Sequence, residues 1–312
     1  MYIHNRLENK SQLFQKIKQL DYILLLSILV LGAVSIVTMY STDGGQILFY
    51  TKSHFTKFVI FSALMLVISF FNIRLWFSIS YFAYLLLVLM LIWTINFGVT
   101  ASGSQRWMDL YFINIQPSEL MKIAIILCLA KYFHRMRLEN VNSFYSIITS
   151  LIIIFIPMSL VIIQPDLGTS ILISISGLIV LWFVGLNHKY FFYSILISIV
   201  SFPFIISFLK PYQKIRILTF LNPDRDPLGA GYQIIQSKIA VGSGGLTGKG
   251  FLKGTQSYLE FLPEKHTDFI FTLFSEEFGF VGSICLLLIY SIIIIRIIRI
   301  GAISRSNFAK LF

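Results

Sequence analysis

Long apolar runs, each roughly the ~20 residues that a bilayer crossing requires, alternate with short polar segments along most of the chain. They fall at about 21–40, 56–72, 76–97, 117–134, 147–163, 168–186, 190–209 and 268–298. The pattern predicts an all-α polytopic membrane protein with about eight transmembrane helices, since a helix satisfies its own backbone groups in lipid. The widest interruption, 210–267, reads as one long loop outside the membrane. The whole of 1–312 is expected to be a single membrane domain.

Composition agrees with the pattern: 56% of residues are hydrophobic and 12% charged, with a mean hydropathy of +0.80, whereas soluble domains carry about 25% charged residues. A net charge of +11 would suggest nucleic acid in a soluble chain. Here the basic residues collect at the ends of spans, as cytoplasmic segments do, so no nucleic-acid partner is implied. An even number of spans puts both termini on one side. With the termini in the cytoplasm, the inner segments hold Lys16, Lys18, Arg135, Arg137, Arg296 and Arg299, while the short outer ones hold Lys52, Lys57, Arg106 and the span-embedded Lys122. The first apolar run is long enough to span and lacks a small-residue cleavage site, so it is not a cleaved signal peptide. Cys128 and Cys285 lie inside apolar runs and read as small buried hydrophobes.

Four polar interruptions fall on the outer side. In Ser102–Asp109 (SGSQRWMD), Trp107 suits a membrane-interface belt, and the adjoining Arg106 adds a planar donor fork for phosphate or carboxylate. In Gln116–Lys122 (QPSELMK), Pro117 fits the first position of a helix. Glu119 and Lys122 then share one helical face, either as a clamp between helices or as ligand groups. In Gln164–Thr169 (QPDLGT), Asp166 is a turn former or a member of the same outer cavity. The long loop contains a glycine-rich run, Gly242–Gly250 (GSGGLTGKG). Its amides could cradle an anion, with Lys238 and Lys249 nearby. Before it, Tyr232–Val241 predicts a short amphipathic helix with Gln233, Gln236, Ser237 and Ala240 on one face. No zinc-like spacing of His, Cys, Asp and Glu occurs, and no Ser–His–Asp order can be defended.

The richest stretch is Phe261–Glu277, FLPEKHTDFIFTLFSEE, where a polar run feeds into the last apolar segment. Asp268 stands at that water–membrane boundary, where an unpartnered carboxylate is costly. If the helix includes it, Asp268, Thr272, Ser275 and Gly279 form one small polar stripe facing a cavity or a neighbouring helix.

The motifs GSQRWMDL, QPSELMKIA, QPDLGTS, NPDRDPLGAGYQIIQSKIAVGSGGLTGKG and GTQSYLEFLPEKHTDFIF, in this order, resemble those of the SEDS family (shape, elongation, division and sporulation). DPLGAGYQIIQSKIA followed by GTQS resembles its RodA-type elongation branch rather than the FtsW-type division branch. The resemblance implies a peptidoglycan glycosyltransferase that polymerises lipid II at the outer, periplasmic face of the bacterial inner membrane. It also implies a class B penicillin-binding protein as transpeptidase partner, and membership of the elongation machinery with the Mre proteins. Asp268 matches the family's proposed catalytic aspartate. Arg106, Trp107, Glu119, Lys122, Asp166, Arg216 and Lys238 match its polar cavity, and His266 and Thr267 beside Asp268 join the substrate-binding set. Members usually carry ten spans, with a Pro-Leu-Pro, Ser-Tyr-Gly-Gly stretch before the last. This chain reaches Phe312 after eight, so the C-terminal part of the family pattern is expected to be missing.

The chemistry fits that resemblance. Lipid II has an α-linked pyrophosphate and the glycan formed is β-1,4, so the anomeric centre inverts, which calls for a base on the attacking hydroxyl. Asp268 is the expected base. Arg106, Lys122 and Lys238, with or without a divalent cation such as Mg or Mn, would hold the pyrophosphate. Two alternatives remain: a lipid II flippase, and a non-catalytic scaffold for the transpeptidase.

Overall fold

The computed structural model describes residues 17–101, 104–109, 114–208, 211–229, 231–255 and 266–312. Glu264 and Lys265, part of the polar run before Asp268, lie outside the described residues, as does the leader up to residue 16. Among the described residues, each predicted apolar run is mainly helical. In chain order these helices are α1 (Tyr22–Thr42), α2 (Phe49–Ser69), α3 (Ile73–Phe97), α4 (Pro117–Phe133), the short α5 (Leu138–Val141), α6 (Phe144–Ile163), α7 (Leu167–Val184) and α8 (His188–Phe208). After them come α9 (Pro211–Leu221), α10 (Tyr232–Ser243), α11 (Ile270–Ile303) and the short α12 (Asn307–Leu311). Among the described residues, six helices (α1, α2, α3, α6, α7 and α11) are long and apolar enough to cross a membrane. The protein is a multi-pass, predominantly helical membrane protein.

Caps explain several of the helix starts. Asp21 accepts from the Leu24 amide at 3.0 Å, Ser143 from Ser146 and Asp166 from Thr169, each satisfying a donor that the first turn would leave bare. Pro117 opens α4, as its missing N–H allows. α2 begins at Phe49, well before the hydropathy onset near 56, because the polar Lys52, His54 and Lys57 are compatible with helix though not with lipid.

The chain divides into two compact units, Met1–Phe70 with Ser201–Ile298, and Phe71–Val200 with Arg299–Phe312. The second unit is built around α4. Met121, Ala124, Ile125, Leu129 and Phe133 of that helix are buried against Leu87 and Leu91 of α3, Ile154 and Val161 of α6, and Ile173, Val180 and Leu181 of α7. Ser118, Cys128 and Ala130 are buried as well; such small side chains let helices approach closely where lipid offers no hydrophobic drive. The connection from α3 to α4 holds a small antiparallel sheet, β1 (Val99–Ala101), β2 (Ser104–Asp109) and β3 (Asn114–Ile115), in that order. Val99 pairs with Trp107 and Met108 with Ile115. Cys128 is buried as expected, but Cys285 is exposed.

The first unit carries the 210–267 connection, which is not a bare loop: α9, a 3-10 turn at Pro223–Arg225 and α10 lie in it. The helix expected at Tyr232–Val241 is present as α10, with Ala240 buried and Lys238, Ile239 and Val241 exposed. α11 departs from expectation twice. It begins at Ile270, so Asp268 sits in the turn before it, off the polar stripe. It also breaks at Gly279, where φ is 66° and ψ −163°. The glycine-rich run fills the break. Phe280 and Val281 donate to the Gly245 and Leu246 carbonyls at 2.9 and 3.1 Å, and Lys249 and Gly250 donate to the Glu276 and Glu277 carbonyls at 3.0 Å each. The amides of Lys249 and Gly250 are therefore spent on α11 and not arranged as an anion cradle. A β-carbon on Gly279 would lie 2.3 Å from the Gly248 nitrogen, besides the positive φ. Gly279→Ala should therefore lower stability by about 1–3 kcal/mol, read as a fall in the thermal unfolding midpoint in detergent.

Candidate active site

In the second unit, β2 carries Arg106 to Asp166. Arg106 Nη1 lies 2.8 Å from Asp166 Oδ2. Asp166 is 8% exposed and is also the N-cap of α7. Its Oδ1 accepts from the Thr169 amide at 3.1 Å, and its Oδ2 from the Thr169 hydroxyl at 2.9 Å and from Gln116 Nε2 at 3.4 Å. One carboxylate therefore ties together a strand, the start of α4 and the start of α7. Burial pushes the Asp166 carboxyl upward, but Arg106 and the two Thr169 donors outweigh it and hold the group below the usual carboxylate range. Gln164, buried beside it, donates to the Leu91 carbonyl at 3.0 Å and to Thr94 Oγ1 at 2.8 Å, locking α3 to the end of α6. Arg106 Nε is buried with no hydrogen-bond partner among the described residues.

Asp166→Ala removes a cap, worth about 1 kcal/mol, and strands Arg106. The expected result is a lower unfolding midpoint at neutral pH. Because the folded carboxyl is the stronger acid, its stabilisation is present above the ordinary carboxylate range and is lost as pH falls through its depressed value. The gap between variant and wild type should then close in acid.

Glu119 and Lys122 pair at 2.7 Å across one turn of α4, as their spacing predicted. Glu119 is exposed and Lys122 half-buried, so the pair stands at the edge of the helix bundle. Trp107 follows Arg106 on β2 and is half-buried, its side chain on the opposite face of the strand.

In the first unit, Asp268 is exposed in the turn 266–269. Two residues before it, His266 stacks on Tyr50, with ring centroids 3.8 Å apart and planes 12° from parallel. Its Nδ1 lies 2.9 Å from Thr42 Oγ1. Thr267 is exposed beside it, and Arg216 on α9 and Lys238 on α10 are exposed as well.

Sequence reasoning did not single out the two carboxylates that follow. Glu276 is fully buried, and its Oε1 accepts from Lys249 Nζ at 2.6 Å, the Thr255 amide at 2.9 Å and the Thr255 hydroxyl at 3.0 Å. Glu277, also buried, accepts from the Ser41 hydroxyl near the end of α1. Two consecutive acids in an apolar segment were the available signal, since such groups persist there only with partners or a function.

The model of the FtsW/RodA/SpoVE cell cycle proteins matches residues 15–312. The chain belongs to this family. It is 39% identical over 307 residues to the peptidoglycan glycosyltransferase MrdB of Escherichia coli K12, covering 97% of this chain and 81% of that one. It is 39% identical over 219 residues to the stage V sporulation protein E of Bacillus subtilis, covering 70% and 57%. Among solved structures, the fold is similar to a chain of a peptidoglycan synthase complex that coordinates polymerization and crosslinking, with a TM-score of 0.76, 23% identity and 94% and 81% coverage. It is also similar to the rod shape determining protein RodA of Thermus thermophilus, with a TM-score of 0.65, 20% identity and the same coverage.

Within this family member, seven of the ten predicted site residues, all but Trp107, Arg216 and Lys238, fall into three groups. Arg106 and Asp166 are joined directly, with Gln116 added. Glu119 and Lys122 are joined to each other. Asp268, His266 and Thr267 share one turn.

Proposed function

We propose that this FtsW/RodA/SpoVE family protein is a peptidoglycan glycosyltransferase that polymerises lipid II into glycan strands during cell elongation, with Asp268 as general base. The observation that carries the reading is the contrast along residues 266–277: Glu276 and Glu277 are buried and committed to internal partners, whereas Asp268 is exposed. It is the carboxylate of that stretch which an incoming sugar can reach. In the reaction, the acceptor 4-hydroxyl attacks the anomeric carbon of the donor. Asp268 takes the hydroxyl proton as the carbon–oxygen bond to the lipid pyrophosphate breaks with inversion. The leaving group carries its own charge, so cations replace a general acid. Arg106, with an unspent Nε donor, and Lys122 and Lys238 are the proposed cations. Trp107, Glu119, Asp166, Arg216, His266 and Thr267 complete the proposed substrate-binding set.

Among the described residues no three His, Cys, Asp or Glu side chains gather into a set that could hold a metal ion. A divalent cation such as Mg or Mn, which needs only one or two carboxylates when it also binds the substrate's phosphates, would add to the charge stabilisation that the basic side chains supply. The natural partner on this reading is a class B penicillin-binding protein, within the elongation machinery that includes the Mre proteins. Both termini lie in the cytoplasm and the site faces the periplasm of the bacterial inner membrane, as the basic residues of the inner segments favour.

Purified protein with its transpeptidase partner should convert lipid II in detergent into glycan polymer, resolved by length on a gel. Crossing of a bilayer has no meaning in detergent, so polymer formed there separates the transferase from a flippase. Absence of polymer together with lipid II translocation in vesicles would give the transporter reading. Absence of both, with the partner still bound, would give the scaffold.

A further inference from the structure

We propose that Ser41 and Thr42, the last two residues of α1, are positioning residues for Asp268; this rests on the reading of Asp268 as the base. The stretch that carries Asp268 is held at both ends by these neighbouring hydroxyls. At its start, Thr42 Oγ1 donates to the Met39 carbonyl at 2.6 Å. A hydroxyl has a single hydrogen, so Thr42 accepts from His266, and the imidazole carries its proton on Nδ1. Tyr50 lies flat against the same ring. Tyr50 is itself fixed, because the amide and hydroxyl of the adjacent Thr51 both donate to Asp43 Oδ2, at 2.9 and 2.6 Å, and Asp43 caps the end of α1. At the far end of the stretch, Ser41 donates to the buried Glu277.

The Met39 carbonyl, one of the groups a helix C-terminus would leave bare, receives the Asp43 amide at 3.1 Å in addition to Thr42, the single hydrogen of the Thr51 hydroxyl being committed to Asp43 Oδ2. The Asp43, Gly44 and Gly45 amides thus close the end of α1 onto the Met39, Ser41 and Tyr40 carbonyls. Asp268 has no rigid element of its own, being in a turn. Its place is set by the imidazole two residues before it and by the carboxylate nine residues after it, and both are set by α1. A base must stay within hydrogen-bond reach of its proton, and small misplacements are expensive in rate.

The test compares Thr42→Val, which keeps the shape and loses the hydroxyl, with Thr42→Ser, which keeps the hydroxyl, using steady-state polymerisation of lipid II by the purified protein with its partner. Thr42→Val should lower kcat about tenfold to a hundredfold with KM and the unfolding midpoint unchanged, and Thr42→Ser should restore kcat. Wild-type kcat in Thr42→Val, with Asp268→Asn inactive, would overturn the assignment. Equal losses in the two Thr42 variants, or a loss of kcat matched by a fall in the unfolding midpoint, would also overturn it, since either points to packing. Normal polymerisation by Asp268→Asn is the distinct outcome that removes the base itself, whatever Thr42 does, and this inference with it.

Discussion

Asp268→Asn should lose about 10²–10⁴-fold in polymerisation rate, the usual worth of a positioned base, while remaining folded. Asparagine matches aspartate in size, and the side chain is exposed. Exposed substitutions of this kind shift stability within about 0.5 kcal/mol, so lost activity cannot be charged to unfolding. The measurement is polymer formed per unit time from lipid II in detergent, paired with a thermal melt of the same preparation. Near-normal rates would take the base role away from Asp268 and turn attention to the flippase or scaffold readings.

The second large effect concerns stability. Lys249→Met removes the cation that lies 2.6 Å from the fully buried Glu276 carboxylate. Removing one partner of a buried ion pair costs about 3–5 kcal/mol, because the remaining charge is left uncompensated. Replacing both partners is far milder, since a neutral pair no longer needs the attraction. The double variant Lys249→Met with Glu276→Gln should therefore recover much of the stability lost in Lys249→Met alone. A denaturation series over the wild type, the two single variants and the double variant measures the coupling. An unaltered midpoint in Lys249→Met would show that the pair contributes little beyond its Thr255 bonds.

The apolar helices, six of them among the described residues long and apolar enough to cross a membrane, were legible because lipid imposes a length and a polarity that hydropathy reads directly, and the Glu119–Lys122 pair because helical spacing is local. Asp166 was legible as a turn former, and it is one: it caps α7. Its partnership with Arg106 was not, since the two are 60 residues apart and the contact depends on a six-residue strand too short to announce itself. Gln164, which joins α3 to α6, is an ordinary amide until its surroundings are known. Gly279 was misread as part of a continuous stripe because glycine costs a helix interior only about 1 kcal/mol, too little to signal a break. The glycine-rich run was misread for a related reason: sequence shows that a backbone can approach something closely, but not what it approaches. Here it approaches α11.

That broken helix bears on how the protein is made. A nascent Ile270–Ile303 segment enters the bilayer with Glu276 and Glu277 near one end, and neither Ser41, Lys249 nor Thr255 is part of the segment itself. An ionised side chain within a span costs several kcal/mol until it finds a partner. The long apolar remainder can carry the segment into lipid, but its first turns become settled only once α1 and the glycine strap have closed over them. Biogenesis therefore has an order written into it, with α1 acting as the receiver for α11.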